Sequence, residues 1–472
     1  MRARRILIGL LTGLAVGLAI SSALVRAQAD GRKGLDEAFV RPVAWLATQV
    51  DLRYVEAVDL KDLAAGTCQG MLAEIDPYSA YWPPEMLQEL QADDGRVAPG
   101  FEVRFDPVSK AAIIDECIPG TSAFAEGLLP GDLVIELAES RPETDAPSEE
   151  MTAEDGVAET EEEPTAAVSK VSEMQTAYDV FTALRGQPGT ELTVAVLRVD
   201  ESRKLEVTIR RPGPEAPPAV LAAEIIGADA GIGYICFGHF GQGSADQLRR
   251  SLDELRSEGM AGLVLDLRYN PGGREREARA VSGLFLDGES MAVIRGRRGP
   301  ETVLSARQGG ADVDLPVVVL VNRFTAGWAE LVAAALQDHQ RAVLVGEGTY
   351  GKAGIQTLMP SPFDEGTIRL TCARYYSPEG RTVDGEGVEP DVEVELSHED
   401  TRKLALHLVG AEQAVAAESP AGEAEEAGAA ADDQTGEDAE EPFRDTQLER
   451  AVEILSAELT QVGEEVVPVA AG

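Results

Sequence analysis

One stretch of the chain, residues 315–356, combines apolar strand patterns with a sharp turn and a helix pattern. Val317 to Val321 is a short apolar run, which predicts a buried strand. Beyond a turn at 323–327, Glu330 to Gln337 has helical apolar spacing and an acid in its first turn. A second apolar run, 342–345, leads into a glycine-punctuated loop that contains Lys352. The order of these patterns predicts an α/β core.

The turn between the first strand and the helix is a candidate position for a catalytic nucleophile. A strand, a sharp turn and a helix can present a nucleophile beside backbone N–H groups that receive an oxyanion. A lysine about 25 residues later could act as the base of a Ser-Lys pair. In this chain that lysine is Lys352, whereas the turn carries Gly327.

This stretch resembles the C-terminal processing (tail-specific) serine peptidases, whose pattern is roughly N-x-x-S-A-S-A-S-E followed by G-K-G-x-x-Q. The matching positions are Asn322, Ala326, Glu330, Gly351, Lys352 and Gln356. The family's nucleophilic serine lies three residues before the glutamate, where this chain has Gly327. Glycine has no side chain that could attack a carbonyl. The resemblance therefore implies a peptidase site that keeps Lys352 as the general base position, together with Gln356, and has lost its nucleophile.

A second motif supports the same resemblance. GLVLDLRYNPGG, residues 262–273, predicts a buried strand that ends in a glycine turn. The segment is similar to the family's L-D-L-R-x-N-P-G-G. The resemblance implies an oxyanion hole formed by a backbone N–H of the pair Gly272 and Gly273 and by that of Trp328, which follows the nucleophile position.

Thr325 leaves a second nucleophile open, because it carries a hydroxyl two residues before Gly327. It matches a family serine that is not the nucleophile, and activation requires hydrogen-bond reach to a base. With Thr325 as nucleophile, Lys352 would be a remnant paired with an acid such as Glu347 or Glu330.

The N-terminus has the layout of a secretory signal. Arg2, Arg4 and Arg5 precede an apolar run of 19 residues, Ile6 to Leu24, and Ala27-Gln28-Ala29 offers a cleavage point. The run is also long enough to span a bilayer, with the positive residues on the cytoplasmic side. We therefore expect export to an extracytoplasmic (periplasmic) location, by cleavage of residues 1–29 or by membrane anchoring through residues 6–24.

Between the signal and the core, the patterns predict two regions. Residues 30–92 have helical apolar spacing and include the segment Asp76 to Tyr81, which resembles the family's L-D-P-Y-S-x-Y and to which we assign no catalytic role. Residues 93–212 resemble a PDZ domain, and this region is interrupted by an acidic, disordered insertion at about 139–170. PDZ domains bind an extended C-terminus as an added strand and hold its carboxylate with loop N–H groups. The resemblance assigns peptide binding to Gly100, Phe101, Val103 and Val180.

The remaining assignments complete a multidomain α/β architecture. A peptidase-like core is expected at 213–410, a disordered acidic segment at 411–444, and a C-terminal helix and tail at 445–472. The net charge of −42 argues against nucleic acid as a partner.

No cofactor and no metal are expected, because the four histidines lack metal-ligand spacing and should be solvated or capping residues. The four cysteines lie far apart and are interpreted as buried small apolar residues, with disulfides left open: Cys68, Cys117, Cys236 and Cys372.

Two functions remain. The chain is either a serine peptidase that acts on C-terminal segments of exported proteins, impaired by Gly327, or a non-catalytic binding or adaptor protein for unfolded C-termini.

Overall fold

The structure, a computed structural model, describes residues 37–91, 95–106, 109–139, 168–174, 176–198, 202–213, 215–227, 231–310, 314–362, 364–408 and 443–465. The expected signal segment 1–29, nearly all of the acidic insertion and most of the acidic segment 411–444 lie outside these residues. The chain divides into two compact units, 1–71 and 72–472.

The helices are α1 (Glu37–Arg53), α2 (Leu60–Ala73), α3 (Pro84–Gln91), α4 (Ser122–Ala125), α5 (Ala177–Leu184), α6 (Ser244–Ser257), α7 (Glu275–Ser282), α8 (Trp328–Asp338), α9 (His398–Leu408) and α10 (Thr446–Glu465). The strands are β1 (Ala80–Trp82), β2 (Phe101–Asp106), β3 (Ala111–Cys117), β4 (Leu133–Glu139), β5 (Val168–Lys170), β6 (Glu191–Arg198), β7 (Arg203–Arg210), β8 (Val220–Ile226), β9 (Ile232–Phe237), β10 (Gly262–Asp266), β11 (Ser290–Gly296), β12 (Thr302–Ser305), β13 (Val317–Val321), β14 (Val343–Gly346), β15 (Gly354–Pro360), β16 (Thr367–Tyr376) and β17 (Val392–Glu393).

The first unit contains helix α1 and most of helix α2, which confirms the helical N-terminal region. Several of its apolar side chains are exposed, among them Val40, Trp45, Leu46 and Leu60. Across the described ranges, no helix is both long enough and apolar enough to cross a bilayer.

The core of the second unit is a six-stranded sheet in the order β17-β14-β13-β10-β9-β8. Its strands are parallel except for the edge strand β8. Along β10 and β13 the side chains alternate between two covered faces. Leu263 and Val319 pack with helices α6, α7 and α8, whereas Val264 and Val318 belong to the cluster that includes α9 and α10. Burial on both faces explains why these strands are continuously apolar.

Residues 95–211 surround a second, antiparallel sheet in the order β2-β3-β4-β6-β7, which we call the β-domain. Helix α5 packs on this sheet with Val180 and Leu184 buried. Its N-terminus has a capping box, in which Thr176 and Asp179 each accept from the other's backbone N–H. Strand β2 is an edge strand, since β3 is its only partner among the described strands.

A third sheet, in the order β1-β16-β11-β12 with β15 paired to β16, joins distant parts of the second unit. Pairing of Ala80–Trp82 with residues 367–369 brings the segment that precedes β1 next to the core. The loop that contains Lys352 leads directly into β15.

Candidate active site

The turn before helix α8 has a backbone conformation that favours glycine at position 327. Gly327 is the N-cap residue, with φ 59° and ψ −122°, and its N–H donates to Glu330 Oε2 at 2.9 Å. The helix therefore begins at Trp328, two residues earlier than the sequence pattern predicts. A Cβ on Gly327 would lie 3.3 Å from the Pro271 carbonyl oxygen and 3.9 Å from Gly272 Cα. A side chain here would therefore require the Pro271 carbonyl to shift by a few tenths of an ångström, and positive φ is costly for any residue other than glycine.

The glycine turn after β10 lies against this turn. A Cβ on Gly272 would come within 2.8 Å of the Trp328 nitrogen, so only glycine fits there without a shift. The N–H of Gly272 donates to Asn270 Oδ1 at 2.9 Å and is not available to an oxyanion. Of the pair from which one donor was expected, only Gly273 is left to supply its N–H.

The amides of Gly273 and Trp328 are different, because neither has a hydrogen-bond partner among the residues described. Gly273 is exposed and Trp328 is half-buried. The Gly273 segment is fixed on both sides, since Phe240 N–H donates to the Gly272 carbonyl at 2.7 Å and Arg274 N–H donates to the Phe240 carbonyl at 2.9 Å. The two open amides lie on adjacent turns that hydrogen bonds hold in place.

Glu330 connects the turn of Gly327 to the loop of Lys352. Its side chain is fully buried and accepts four hydrogen bonds. Oε2 accepts from the N–H groups of Gly327 and Lys352, and Oε1 accepts from Gly351 N–H and the Thr349 hydroxyl. Burial raises the pKa of Glu330, and these four donors oppose that rise by stabilising the carboxylate. Glu330 thus fixes the two segments relative to each other.

The Lys352 ammonium is paired with acids of the β-domain. Nζ donates to Asp115 Oδ2 at 2.8 Å and also bonds Glu116 Oε1, and it lies 5.4 Å from the centre of the Tyr78 ring. Burial alone would lower the pKa of Lys352, but the carboxylates of Glu116 and Asp115 outweigh it and raise the pKa. The expected partners, Glu347 or Glu330, are wrong, since Glu330 bonds only the backbone N–H of Lys352. Lys352 is a stable ammonium and cannot accept a proton in this arrangement.

A β-bulge directs both acids toward Lys352. In the pairing of β2 with β3, Glu102 faces Glu116 and Val103 faces Ile114, so that Asp115 has no partner residue on β2. Successive side chains of a regular strand point to opposite faces, and a bulge re-aims one of them. Asp115 and Glu116 therefore contact the same ammonium although they are adjacent in sequence. The spacing of residues in the sequence could not identify Asp115 and Glu116 as partners of Lys352, because the bulge forms only when β2 and β3 pair.

The segment at Asp76 belongs to the surroundings of Lys352, although the sequence assigned it no catalytic role. Asp76 Oδ1 accepts from the N–H groups of Tyr78 and Ser79 at 2.8 and 2.6 Å, which forms a tight turn. The turn places the Tyr78 ring beside Lys352. Tyr350 completes the group, since its hydroxyl donates to Asp115 Oδ1 at 3.0 Å.

Comparison with known proteins is decisive at this point. Residues 231–394 match the model of peptidase family S41. The carboxy-terminal-processing protease of Bartonella bacilliformis is 28% identical over 352 residues, covering 74% of this chain and 73% of the relative. The carboxy-terminal processing protease CtpA of Bacillus subtilis is 28% identical, covering 74% and 67%. A solved structure, the photosystem II D1 C-terminal processing protease, has a TM-score of 0.55 at 26% identity and covers 74% of this chain and 85% of that one.

Residues 231–394 thus form a peptidase family S41 domain, and the chain is similar to C-terminal processing peptidases over about three quarters of its length. Its α/β core and its helical N-terminal region agree with that similarity.

Thr325 is not an alternative nucleophile for this C-terminal processing peptidase relative. Its side chain is fully buried, and its hydroxyl donates to the Leu267 carbonyl oxygen at 2.9 Å. The Thr325 hydroxyl oxygen in turn accepts from Asn322 N–H at 3.0 Å. The hydroxyl proton and one of the two lone pairs are occupied within the protein, so the fully buried Thr325 stabilises the turn.

The other expected site residues of this family member are dispersed. Gln356 lies on β15 and donates to Thr371 Oγ1 at 3.4 Å. In the β-domain, Gly100 has φ 96° and Phe101 begins the edge strand β2, where Val103 is half-buried. Val180 has no exposed surface and lies inside the β-domain, so the expectation that it faces a peptide is wrong. In a short helix the residues at i and i+4, here Val180 and Leu184, both face the core.

Cysteine and histidine chemistry is absent from the site. The four cysteines are free thiols; Cys117 and Cys236 are buried as expected, whereas Cys372 is exposed. Within the described part of the chain, no three potential metal ligands cluster.

His239 is buried, where a solvated or capping role was expected. It accepts from Gly241 N–H and its Nε2 lies 3.1 Å from the Pro217 carbonyl oxygen. Burial lowers its pKa, which favours the neutral ring.

Proposed function

We propose that this relative of the C-terminal processing peptidases binds C-terminal segments of exported polypeptides and does not hydrolyse them at an appreciable rate. The observation that carries the proposal is the pairing of Lys352 with Asp115 and Glu116, opposite a turn that has Gly327 in place of a nucleophile. Loss of a nucleophile leaves only the rate enhancement that binding and an oxyanion hole provide.

The remaining parts of a peptidase site support an origin in a catalytic ancestor. The amides of Gly273 and Trp328 are open, and a Cβ at position 327 would make one tight contact, 3.3 Å to the Pro271 carbonyl oxygen. Trp328 packs on Tyr375 with ring centres 4.7 Å apart and ring planes tilted by 59°. A serine at 327 would have an oxyanion hole but a protonated base. Backbone strain at positive φ would cost it about 1–3 kcal/mol.

The hydrolysis experiment compares the wild type with Gly327→Ser on a peptide that the protein binds. We expect no measurable cleavage by the wild type and slow cleavage by Gly327→Ser, because a hydroxyl is restored beside two oxyanion donors. Gly327→Ala is the matched control, since it introduces the same backbone strain without a hydroxyl. Adding Lys352→Ala to Gly327→Ser should leave this slow cleavage nearly unchanged, because the protonated Lys352 does not serve as its base.

Two outcomes contradict this proposal. Wild-type cleavage that disappears in Thr325→Ala would show that the threonine is the nucleophile. Wild-type cleavage that survives both Thr325→Ala and Lys352→Ala would place the chemistry outside this site.

Binding of polypeptide C-termini is proposed for the β-domain, which we interpret as PDZ-like. A peptide strand would pair with the free edge of β2, and the loop amides around Gly100 would receive its carboxylate. Gly100 supports this assignment, since a residue without a side chain lets another backbone approach the loop closely. Its φ is positive, and a Cβ there would come within 2.8 Å of the Thr121 side chain. The loop conformation requires glycine.

We also propose that the protein is exported. The basic residues before the apolar run Ile6 to Leu24 support this location. Cell fractionation should recover the protein outside the cytoplasm, and recovery of the soluble full-length chain in the cytosol would contradict the proposal.

A further inference from the structure

A polar cleft opens beside the turn of Gly273. It has a volume of about 510 Å³, which lies in the range of ligand-binding pockets, and it is enclosed by the start of α6, by α7 and by Arg307 after β12. Glu275 is one of its lining residues and follows Gly273 by two positions. Because consecutive Cα atoms lie about 3.8 Å apart, the Cα atoms of these two residues are separated by at most about 7.6 Å. The cleft therefore borders the open amide of Gly273.

Three arginines line the cleft, and two of them are available to a ligand. Arg276 and Arg307 are exposed, and their side chains make no hydrogen bond or ion pair among the residues that the structure describes. Arg279 is held in place, because its Nε donates to the Ser305 carbonyl oxygen at 2.9 Å and its Nη1 lies 3.6 Å from Glu275 Oε1. Two guanidinium groups from different segments thus face one cleft without a carboxylate partner.

The carboxylates of the lining are engaged elsewhere. Glu277 Oε2 accepts from Ala245 N–H at 3.3 Å, at the start of α6. Asp246 lies in the first turn of the same helix, where the helix dipole stabilises negative charge. The third acid, Glu275, has its partner in Arg279. The lining acids therefore leave the charge of the two exposed arginines uncompensated.

We infer that this cleft binds an acidic side chain of the polypeptide that passes the open amides of Gly273 and Trp328. This inference rests on the proposed function, namely that the protein binds polypeptide segments. Guanidinium groups bind carboxylates through paired, charge-assisted hydrogen bonds. The chain carries 83 acidic and 41 basic residues, so its overall field repels an acidic ligand. Recognition of an acidic segment then requires a local group of cations such as this one.

The cleft selects glutamate or aspartate over the corresponding amides at one position of the ligand. An amide has nearly the same shape as a carboxylate, but it cannot accept charge-assisted hydrogen bonds from two arginines. Ala245 and Ala280 complete the lining with small side chains, which leaves the volume between the arginines open. Asp246 acts in the opposite direction, because its charge repels the ligand carboxylate.

The test is a calorimetric titration of the full chain with a series of extended apolar peptides, in each of which one position carries glutamate or glutamine. Wild type should bind the glutamate form about 3- to 10-fold more tightly than the glutamine form at one position of the series. Arg276→Gln and Arg307→Gln should each reduce this preference, and the double variant should abolish it. The affinity for the glutamine peptides should stay unchanged, which shows that the variants are folded.

Two further variants check the sign and the location of the effect. Arg298→Gln is the matched control, because it removes an exposed arginine from the hairpin between β11 and β12, outside the cleft. It should keep the full preference for glutamate. Asp246→Asn removes a carboxylate from the lining and should increase the preference.

Three outcomes overturn the inference. If wild type binds the peptides and prefers glutamate at no position, the cleft does not recognise an acidic side chain, and the proposed function stands. If a preference for glutamate survives in the double variant, the charge is recognised elsewhere in the protein. If wild type binds none of the peptides, the proposed function is wrong, and the inference is overturned with it.

Discussion

At the scale of single residues, Lys352 shows how the environment decides the chemistry of a side chain. The sequence places a lysine where the family has its general base. A base must be able to lose its proton, but two carboxylates stabilise the ammonium of Lys352, and their effect exceeds that of burial. Asp115 has the complementary shift. Burial would raise its pKa, but Lys352 lowers it.

The signs of these shifts define a pH dependence. The raised pKa of Lys352 contributes stability below its unfolded value of about 10.4, and this is lost as pH rises through the folded value. The lowered pKa of Asp115 contributes stability above its unfolded value of about 3.9, and this is lost as pH falls through the folded value. The pair therefore stabilises the fold at neutral pH and loses its effect in strong acid.

We expect Asp115→Asn to lower the free energy of unfolding by about 1–3 kcal/mol at pH 7, because it removes one partner of a partly buried ion pair. The difference from wild type should shrink as the pH falls toward 3. Urea denaturation across this range measures it. Asp253→Asn is the control: Asp253 forms an exposed pair with Arg256 at 3.5 Å, which contributes little. A difference that does not vary with pH would show that the contribution of Asp115 is not ionic.

At the scale of elements, the site depends on junctions between segments that are far apart in sequence. The pattern of residues 315–356 predicts β13, α8 and β14, because buried parallel strands and a helix with an acidic first turn have strong local signals. It does not predict that Glu330 bonds both the turn of Gly327 and the loop of Lys352. That bond requires the loop after β14 to return to the N-terminus of α8, which is a consequence of sheet order.

The bulge in β3 is a second junction of this kind. Local sequence predicts a strand at 111–118, as observed within one residue. The extra residue at Asp115 appears only when β2 and β3 pair, and this changes which face its side chain occupies. A sequence pattern therefore could not predict the contact between the β-domain and Lys352.

At the scale of the whole second unit, a buried arginine joins the core to the C-terminal helix. Arg268, in the segment GLVLDLRYNPGG, has a fully buried side chain and pairs with Asp266 and Asp445 at 2.6 and 2.7 Å. Gln447 of α10 accepts a further hydrogen bond from it at 3.1 Å. Burial would raise the pKa of Asp445, but Arg268 lowers it. The arginine of this motif is therefore a structural anchor for residues 445–465.

Removal of one charge should loosen that anchor. We expect Asp445→Asn to destabilise the protein by about 2–4 kcal/mol, because Arg268 remains buried with one carboxylate fewer. Hydrogen exchange measured by mass spectrometry should show that Asp445→Asn speeds exchange, relative to wild type, more in α10 than in β10. Glu453→Gln on the same helix is the control, since its exposed pair with Arg450 contributes little. Unchanged protection of α10 in Asp445→Asn would show that apolar packing alone holds the helix.

The sequence by itself determined the α/β class, the helical N-terminal region, the strands and helix of the core and the family. These features depend on local periodicity, on glycines that backbone geometry requires and on motifs of adjacent residues. It also showed that glycine, Gly327, occupies the position where the family has its nucleophilic serine. Tertiary structure alone decided that Lys352 bonds Asp115 and Glu116, that Thr325 is buried and that Val180 faces the core. Each of these depends on which segments fold against each other, and a contact between residues hundreds of positions apart leaves no periodic signal in one chain.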